Sequence, residues 1–216
     1  MRASLLGRGF YLQSVVPLAK ALLGKTLIHV KDGVAAGGFI VETEAYAGRE
    51  DPACHAYGRK NRKNRGKGPS GRHRTDVMFG PGGYAYVYLI YGMYNCFNVV
   101  ANVEGEPEAV LVRALEPREG IPLMGERRKT QAIKNLCNGP GKLCMALDIT
   151  RECYGADLCG DVLFITEGEP VPERQILATP RINVNYAGKA ACLPYRFVIR
   201  DSAFLSTRKG IEAGIC

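Results

Sequence analysis

The apolar and polar positions of this chain fall into short segments whose period changes along its length. Residues 14–24 (SVVPLAKALLG) place apolar side chains at helical spacing and close on Gly24, which predicts a short helix with a glycine stop. Residues 25–30 and 38–46 read as strands joined by a turn around Lys31–Gly37. Between 84 and 90, Tyr alternates with Ala, Val and Leu, a period-2 signal, and Gly92 then permits a sharp turn. Two further strands are expected at 95–101 and 109–115, separated by the polar Glu104–Glu108 link. Helices are expected near 118–129 and, after a GPGK turn, over 142–148. Short apolar runs with Pro and Gly breaks at 162–166, 181–186 and 195–201 predict more strands. Strands grouped in succession with few helices between them predict an α+β fold: one domain over 1–216, with a curved, mostly antiparallel sheet and flanking helices. There is no βαβ rhythm and no GxGxxG after a strand, which argues against a dinucleotide-binding unit.

Composition narrows the classes. Hydrophobic content of 46% and charged content of 23% are ordinary for a globular protein. No apolar run approaches the roughly 20 residues that cross a bilayer, and the first residues lack a secretory pattern. An intracellular protein is expected, in the cytoplasm or nucleoid if the source is prokaryotic. The eight cysteines form no CxxC and are expected as reduced thiols, and His29, His55 and His73 make no HxxxH, so no metal site is predicted. The net charge of +8 has one address. Residues 58–75 hold Arg59, Lys60, Arg62, Lys63, Arg65, Lys67, Arg72 and Arg74 with no acid, and the rest of the chain balances. Interspersed Gly, Pro and Ser mark this stretch as a flexible loop, and its charge suits a phosphate backbone.

Chemistry concentrates in three places. Five of the eleven tyrosines lie between Tyr84 and Tyr94, in YAYVYLIYGMY. Buried tyrosine hydroxyls need partners, so such a cluster points to a site for a planar, electron-poor or cationic group. In the strand IVETEAY, Glu42, Glu44 and Tyr46 share one face, which sets the two carboxylates roughly 6–7 Å apart. In AVLVRAL, Arg113 shares a face with Leu111 and Leu115 and needs an acidic partner, which it would in turn keep ionised.

The segments IVETEAY, EDPACHA, MFGPGGYAYVYLIYGMYNCFNVV, LVRALEP, NGPGKLCMAL and PYRF occur in this order from about Leu22 to Arg200. Together they resemble the alkyladenine (3-methyladenine) DNA glycosylase family. By that resemblance Glu44 is the general base that activates water against C1′ of a damaged nucleotide. Arg113 and the backbone carbonyl of Ile182 help hold the water. Tyr46, His55 and Tyr88 line the pocket for the flipped base, and Asn98 discriminates against guanine. Tyr91, with Met93 beside it, wedges into the gap the base leaves. The chain departs from the family's pattern in a basic loop that is longer than usual, in His73–Arg74–Thr75–Asp76, and at Asn183, where a Gly is frequent.

The resemblance implies a monofunctional enzyme, active as a monomer without metal or cofactor. It would remove alkylated or deaminated purines (3-methyladenine, hypoxanthine, ethenoadenine) from double-stranded DNA and leave an abasic site. A non-catalytic nucleic-acid-binding protein using tyrosines as stacking platforms is the alternative. A carbohydrate glycosidase using Glu42 and Glu44 leaves the basic loop without a purpose.

Overall fold

The computed structural model describes residues 4–59 and 74–211. Two short helices, α1 (Arg8–Tyr11) and α2 (Val15–Ala21), precede the sheet. Pro17 is tolerated in α2 because it sits in the first turn, where no intrahelical amide bond is lost. The chain leaves α2 through Gly24 at φ +79°, where a Cβ would stand 2.2 Å from the Glu169 carbonyl oxygen. Only glycine meets both demands.

Strand β1 (Thr26–Lys31) turns through Asp32 and Gly33, both at positive φ, into the 13-residue β2 (Val34–Tyr46). The broad turn expected over Lys31–Gly37 is thus two residues long, because an Asp-Gly pair makes the mirror-image turn that matches strand twist. Residues 34–37, which look like loop because they are small, belong to the strand. Neighbouring backbones come close at the end of this run: a Cβ on Gly37 would lie 2.5 Å from the Leu27 carbonyl oxygen, and one on Gly38 2.2 Å from that of Glu116.

Next come β3 (Ala85–Ile90), β4 (Tyr94–Ala101) and β5 (Glu108–Glu119), then α3 (Ile121–Arg128) and α4 (Pro140–Leu147). The GPGK segment opens α4 rather than preceding it, with Pro140 in the first turn. The last third supplies β6 (Leu163–Thr166), β7 (Ile176–Thr179) and β8 (Arg196–Ile199). The strand expected at 181–186 is absent. Pro180 interrupts the run, Asn183 turns to φ +60°, and residues 185–192 coil into 3-10 turns.

Among the described residues all eight strands pair antiparallel, in the order β3-β4-β5-β2-β1-β6, with β8 on β2 and β7 on β8. This sheet and its flanking helices bear out the α+β expectation. Strand β2 is central and divides one edge between two partners: residues 34–39 pair with the β1 run Thr26–Lys31, and Glu42–Glu44 pair with β8. The other edge pairs with β5 through register shifts around Glu42. The main core packs Leu18, Leu22, Ile40, Phe97, Val112, Leu115, Leu143 and Phe197 between sheet and helices. The register shift has a consequence at Arg113. Val110, Val112 and Leu115 all point into this core, so Leu115 does not share a face with Arg113, as plain alternation predicts. Among the described residues no helix is long and apolar enough to cross a membrane.

Residues 60–73 of the basic segment lie outside the described residues. Its first cation, Arg59, is no surface charge: its side chain is 4% exposed, pairs with Asp76 at 3.3 Å, donates to Thr75 Oγ1 and lies 4.8 Å from the Phe79 ring centroid. Arg59→Ala is expected to lower unfolding free energy by about 1–3 kcal/mol, since it strips partners from buried polar groups. Urea titration checks this. A loss within error would return Arg59 to the cations of the basic loop.

Candidate active site

The sheet brings Glu42, Glu44 and Arg113 together. Both glutamates are fully buried, and Arg113 on β5 bridges them: Nε donates to Glu42 Oε1 at 2.9 Å and Nη1 to Glu44 Oε2 at 3.2 Å. Beyond Arg113 the two carboxylates live differently. Glu42 Oε1 also accepts from Arg196 Nε at 2.8 Å and Ser206 Oγ at 2.7 Å, and its Oε2 accepts from the Ser206 amide at 2.6 Å. Burial alone would raise the Glu42 pKa, but Arg113, Arg196 and the Ser206 bonds together hold it below the ordinary value.

Among the described residues Glu44 has three donors: Arg113, the Tyr46 hydroxyl at 2.9 Å on Oε2, and the Ile182 amide at 2.7 Å on Oε1. An ionised carboxylate offers about four acceptor positions, so the described donors leave one open. Burial, then the neighbouring Glu44, push the Tyr46 phenol well above its usual pKa and keep it a donor. For Arg113, burial works against the charge, while Glu44 and Glu42 reverse it and raise the pKa.

A cleft of about 580 Å³ opens beside this group, lined by Tyr46, His55, Tyr88, Tyr91, Arg113, Ile182 and Asn183 among others. A recess of about 40 Å³ shares Tyr46, His55, Tyr88 and Tyr186 with it and adds Asn98. Glu44 lines neither space. Its three donors Arg113, Tyr46 and Ile182 do, so the carboxylate sits directly behind the wall.

His55 Nδ1 lies 2.8 Å from the Tyr86 hydroxyl, and its ring meets Tyr88 edge-on, with centroids 4.7 Å apart. Burial, and secondarily Arg74, push His55 down to about 4, so it is neutral at pH 7. Asn98 is anchored by its Nδ2, which donates to the Tyr86 carbonyl at 3.0 Å. Tyr91 and Met93 sit at the β3–β4 turn, 79% and 66% exposed. The turn closes through Met93 N to Ile90 O at 3.2 Å, with Tyr91 at φ +53° and Gly92 at φ +71°. A bulky aromatic in the left-handed region is strained, which is tolerated where a side chain must be presented outward.

All the predicted site residues therefore lie around one cleft or its floor, apart from Met93, which stands on the turn beside it. The sequence reading missed Arg196, Ser206, Asp51, Arg181 and Tyr186. Arg196 carries the signal that found Arg113, an arginine inside an apolar strand. Arg181 was hidden by reading its segment as strand. Among the described residues no group of three His, Cys, Asp or Glu side chains could hold a metal.

Comparison with known proteins gives one answer. Residues 9–203 match the family described as methylpurine-DNA glycosylase. The chain is 47% identical over 211 residues to a Bacillus cytotoxicus protein named "Putative 3-methyladenine DNA glycosylase", covering 91% of this chain and 97% of that one. Relatives of the same name from Desulfitobacterium hafniense and Alkaliphilus oremlandii are each 43% identical, over 94% of this chain and 98% and 99% of theirs.

The shifted groups predict how stability responds to acid. His55 binds its proton less tightly when folded, at about 4, than unfolded, near 6.5, so stability falls as pH drops across that window. Glu42 contributes fully above the ordinary carboxylate range, and its share is lost as pH falls through its lowered folded value. His55→Gln is expected to flatten the fall in urea-unfolding free energy between about pH 6.5 and 4. An identical pH profile in the variant would show that His55 is not held neutral.

Proposed function

The chain belongs to the methylpurine-DNA glycosylase family, and from that premise we propose that it flips alkylated or deaminated purines out of duplex DNA and hydrolyses their N-glycosidic bond with water activated by Glu44. The protein is a DNA-3-methyladenine glycosylase, a DNA repair hydrolase. In this proposal the enzyme accepts neutral hypoxanthine and ethenoadenine as well as cationic 3-methyladenine, leaves an abasic product, and acts as a monomer on nucleoid or cytoplasmic DNA without a cofactor.

One observation carries it: a buried carboxylate with one acceptor position open, held by three groups that line a tyrosine-walled cleft. A base in a duplex cannot present its glycosidic bond to a buried group, so it must be extruded, at a cost of a few kcal/mol. The cleft volume falls in the usual range for small-ligand sites, about 300–1,000 Å³, and Tyr46 and Tyr88 offer ring faces or edges to a planar base. A cationic purine gains from these π faces and is already a good leaving group. Neutral His55 adds no opposing charge. Arg113 donates to Glu44 and fixes its carboxylate, and Glu44 takes the proton from water as the water oxygen attacks C1′, while the other fixed donors hold the geometry. The carbonyl of Ile182, beside the amide that already binds Glu44, completes the water's contacts in this scheme. Asn98, in the recess, meets the edge of the base and rejects guanine.

A stacking-only nucleic-acid binder would have no use for a fully buried carboxylate so arranged, because Glu44 contributes nothing to backbone contact.

Glu44→Gln is expected to retain lesion binding while slowing single-turnover excision of hypoxanthine by about 10²–10⁴-fold, the scale of general-base catalysis. Glu42→Gln is expected to lower the melting temperature and to slow excision far less. The reverse ranking would remove Glu44 from its role. Tyr91→Ala should reduce excision about ten- to a hundredfold in well-paired duplexes, reflecting a stacking contribution of about 1–3 kcal/mol. The loss should shrink on single-stranded or mispaired lesions, with the melting temperature little changed. Equal losses on both substrates would rule out the wedge.

A further inference from the structure

Arg181 is a buried cation to which the reaction above gives no task. Its side chain has no exposure, and its guanidinium grips Asp51 with two arms, Nη1 to Oδ2 at 2.5 Å and Nη2 to Oδ1 at 2.9 Å. It also donates to the Ala45 carbonyl at 2.9 Å and the Ala190 carbonyl at 3.2 Å. The same guanidinium lies 4.9 Å from the centroid of the Tyr46 ring and 5.3 Å from that of Tyr195. Tyr46 lines both the cleft and the recess, and Arg181 lines neither. The cation therefore covers Tyr46 from within the protein, while the ring also borders the space where a base would sit.

We propose that Arg181 sets the charge preference of the base pocket, weakening the attraction of Tyr46 for cations so that neutral purines compete with cationic ones. This rests on the reading of the cleft as a damaged-purine site, and deepens it. The reason is electrostatic. The face of a tyrosine ring attracts cations through its quadrupole. A guanidinium held against the ring already draws on that charge distribution, and it repels a second cation brought to the ring in a site that excludes water. Asp51 moderates the repulsion by pairing with the guanidinium. The pocket then selects by shape and stacking as well as by charge, which suits an enzyme that must accept both kinds of lesion.

The test compares single-turnover release of 3-methyladenine, a cationic lesion, with hypoxanthine, a neutral one, from duplexes under saturating enzyme. Both rates come from one preparation, so any unfolded fraction cancels in their ratio. The double variant Arg181→Met with Asp51→Asn removes both charges and leaves no unpaired buried ion. Its cationic-to-neutral ratio is expected to rise about tenfold, the scale of a partly desolvated cation–π contact. Asp51→Asn alone strips the moderating charge and should lower the ratio about threefold, by the same electrostatics. Arg181→Lys keeps the charge but not the fork, so both rates should fall together with the ratio unchanged within about twofold.

An unchanged ratio in the double variant would overturn the proposal and leave Arg181 as an anchor for its loop. If that variant does not fold, the Asp51→Asn ratio decides, and a value at or above that of the unmodified protein overturns it. A wild type that releases only the cationic base overturns it as well. A wild type that releases neither base sinks the glycosylase reading itself, which is a separate failure.

Discussion

Four charges buried in the middle of the sheet constrain the rest of this molecule. Glu42, Glu44, Arg113 and Arg196 balance as two anions and two cations, and none is more than 8% exposed. Such groups are tolerated only when every one is paired and hydrogen-bonded, and removing one partner strands the others. The architecture supplies the partners. Strand β5 brings Arg113 to one edge of β2 and β8 brings Arg196 to the other. The segment after β8 closes the cluster: Ser206 binds Glu42, and the Thr207 and Lys209 carbonyls accept from Arg196 at 2.6 and 2.9 Å. Residues far apart in the chain are thus tied to two glutamates two positions apart.

The same cluster divides labour between two identical side chains. Glu42 is surrounded by its own scaffold and serves as the fixed point from which Arg113 is aimed. Glu44 receives fewer donors, and those donors border the cleft. Chemical identity does not separate them. Their neighbours do, because strand β2 carries Glu42 opposite Val198 and Glu44 toward the loop that contributes Ile182.

Backbone strain collects at the mouth of the cleft. Tyr91 and Asn183, neither of them glycine, both adopt left-handed conformations and both line it. At Asn183 the turn that presents the Ile182 amide to Glu44 takes positive φ, a conformation that suits Gly and that Asn is among the few other residues to accept. The side chain that comes with Asn then projects from an exposed position at the cleft wall.

Much of this was legible in the residues alone. Period-2 alternation over 84–90, the apolar runs around 40 and 110, and their succession without intervening helices determine an antiparallel α+β sheet, because strand faces are written locally. The chemical inventory was also legible, since a guanidinium in an apolar strand demands an acid wherever it folds. Only the tertiary structure decided which acid does what. The bulge around Glu42 breaks the alternation that would have put Leu115 beside Arg113, and bulges depend on how two strands pair, not on either strand alone. Arg59 looked like one more cation of a loop suited to a phosphate backbone until Asp76 and Phe79 folded against it. Arg181 looked like the start of a strand, yet Asp51 and Tyr46 draw it inward. In each case the deciding partner lies more than ten residues away, and pairing energies between such residues exist only once the chain has closed on itself.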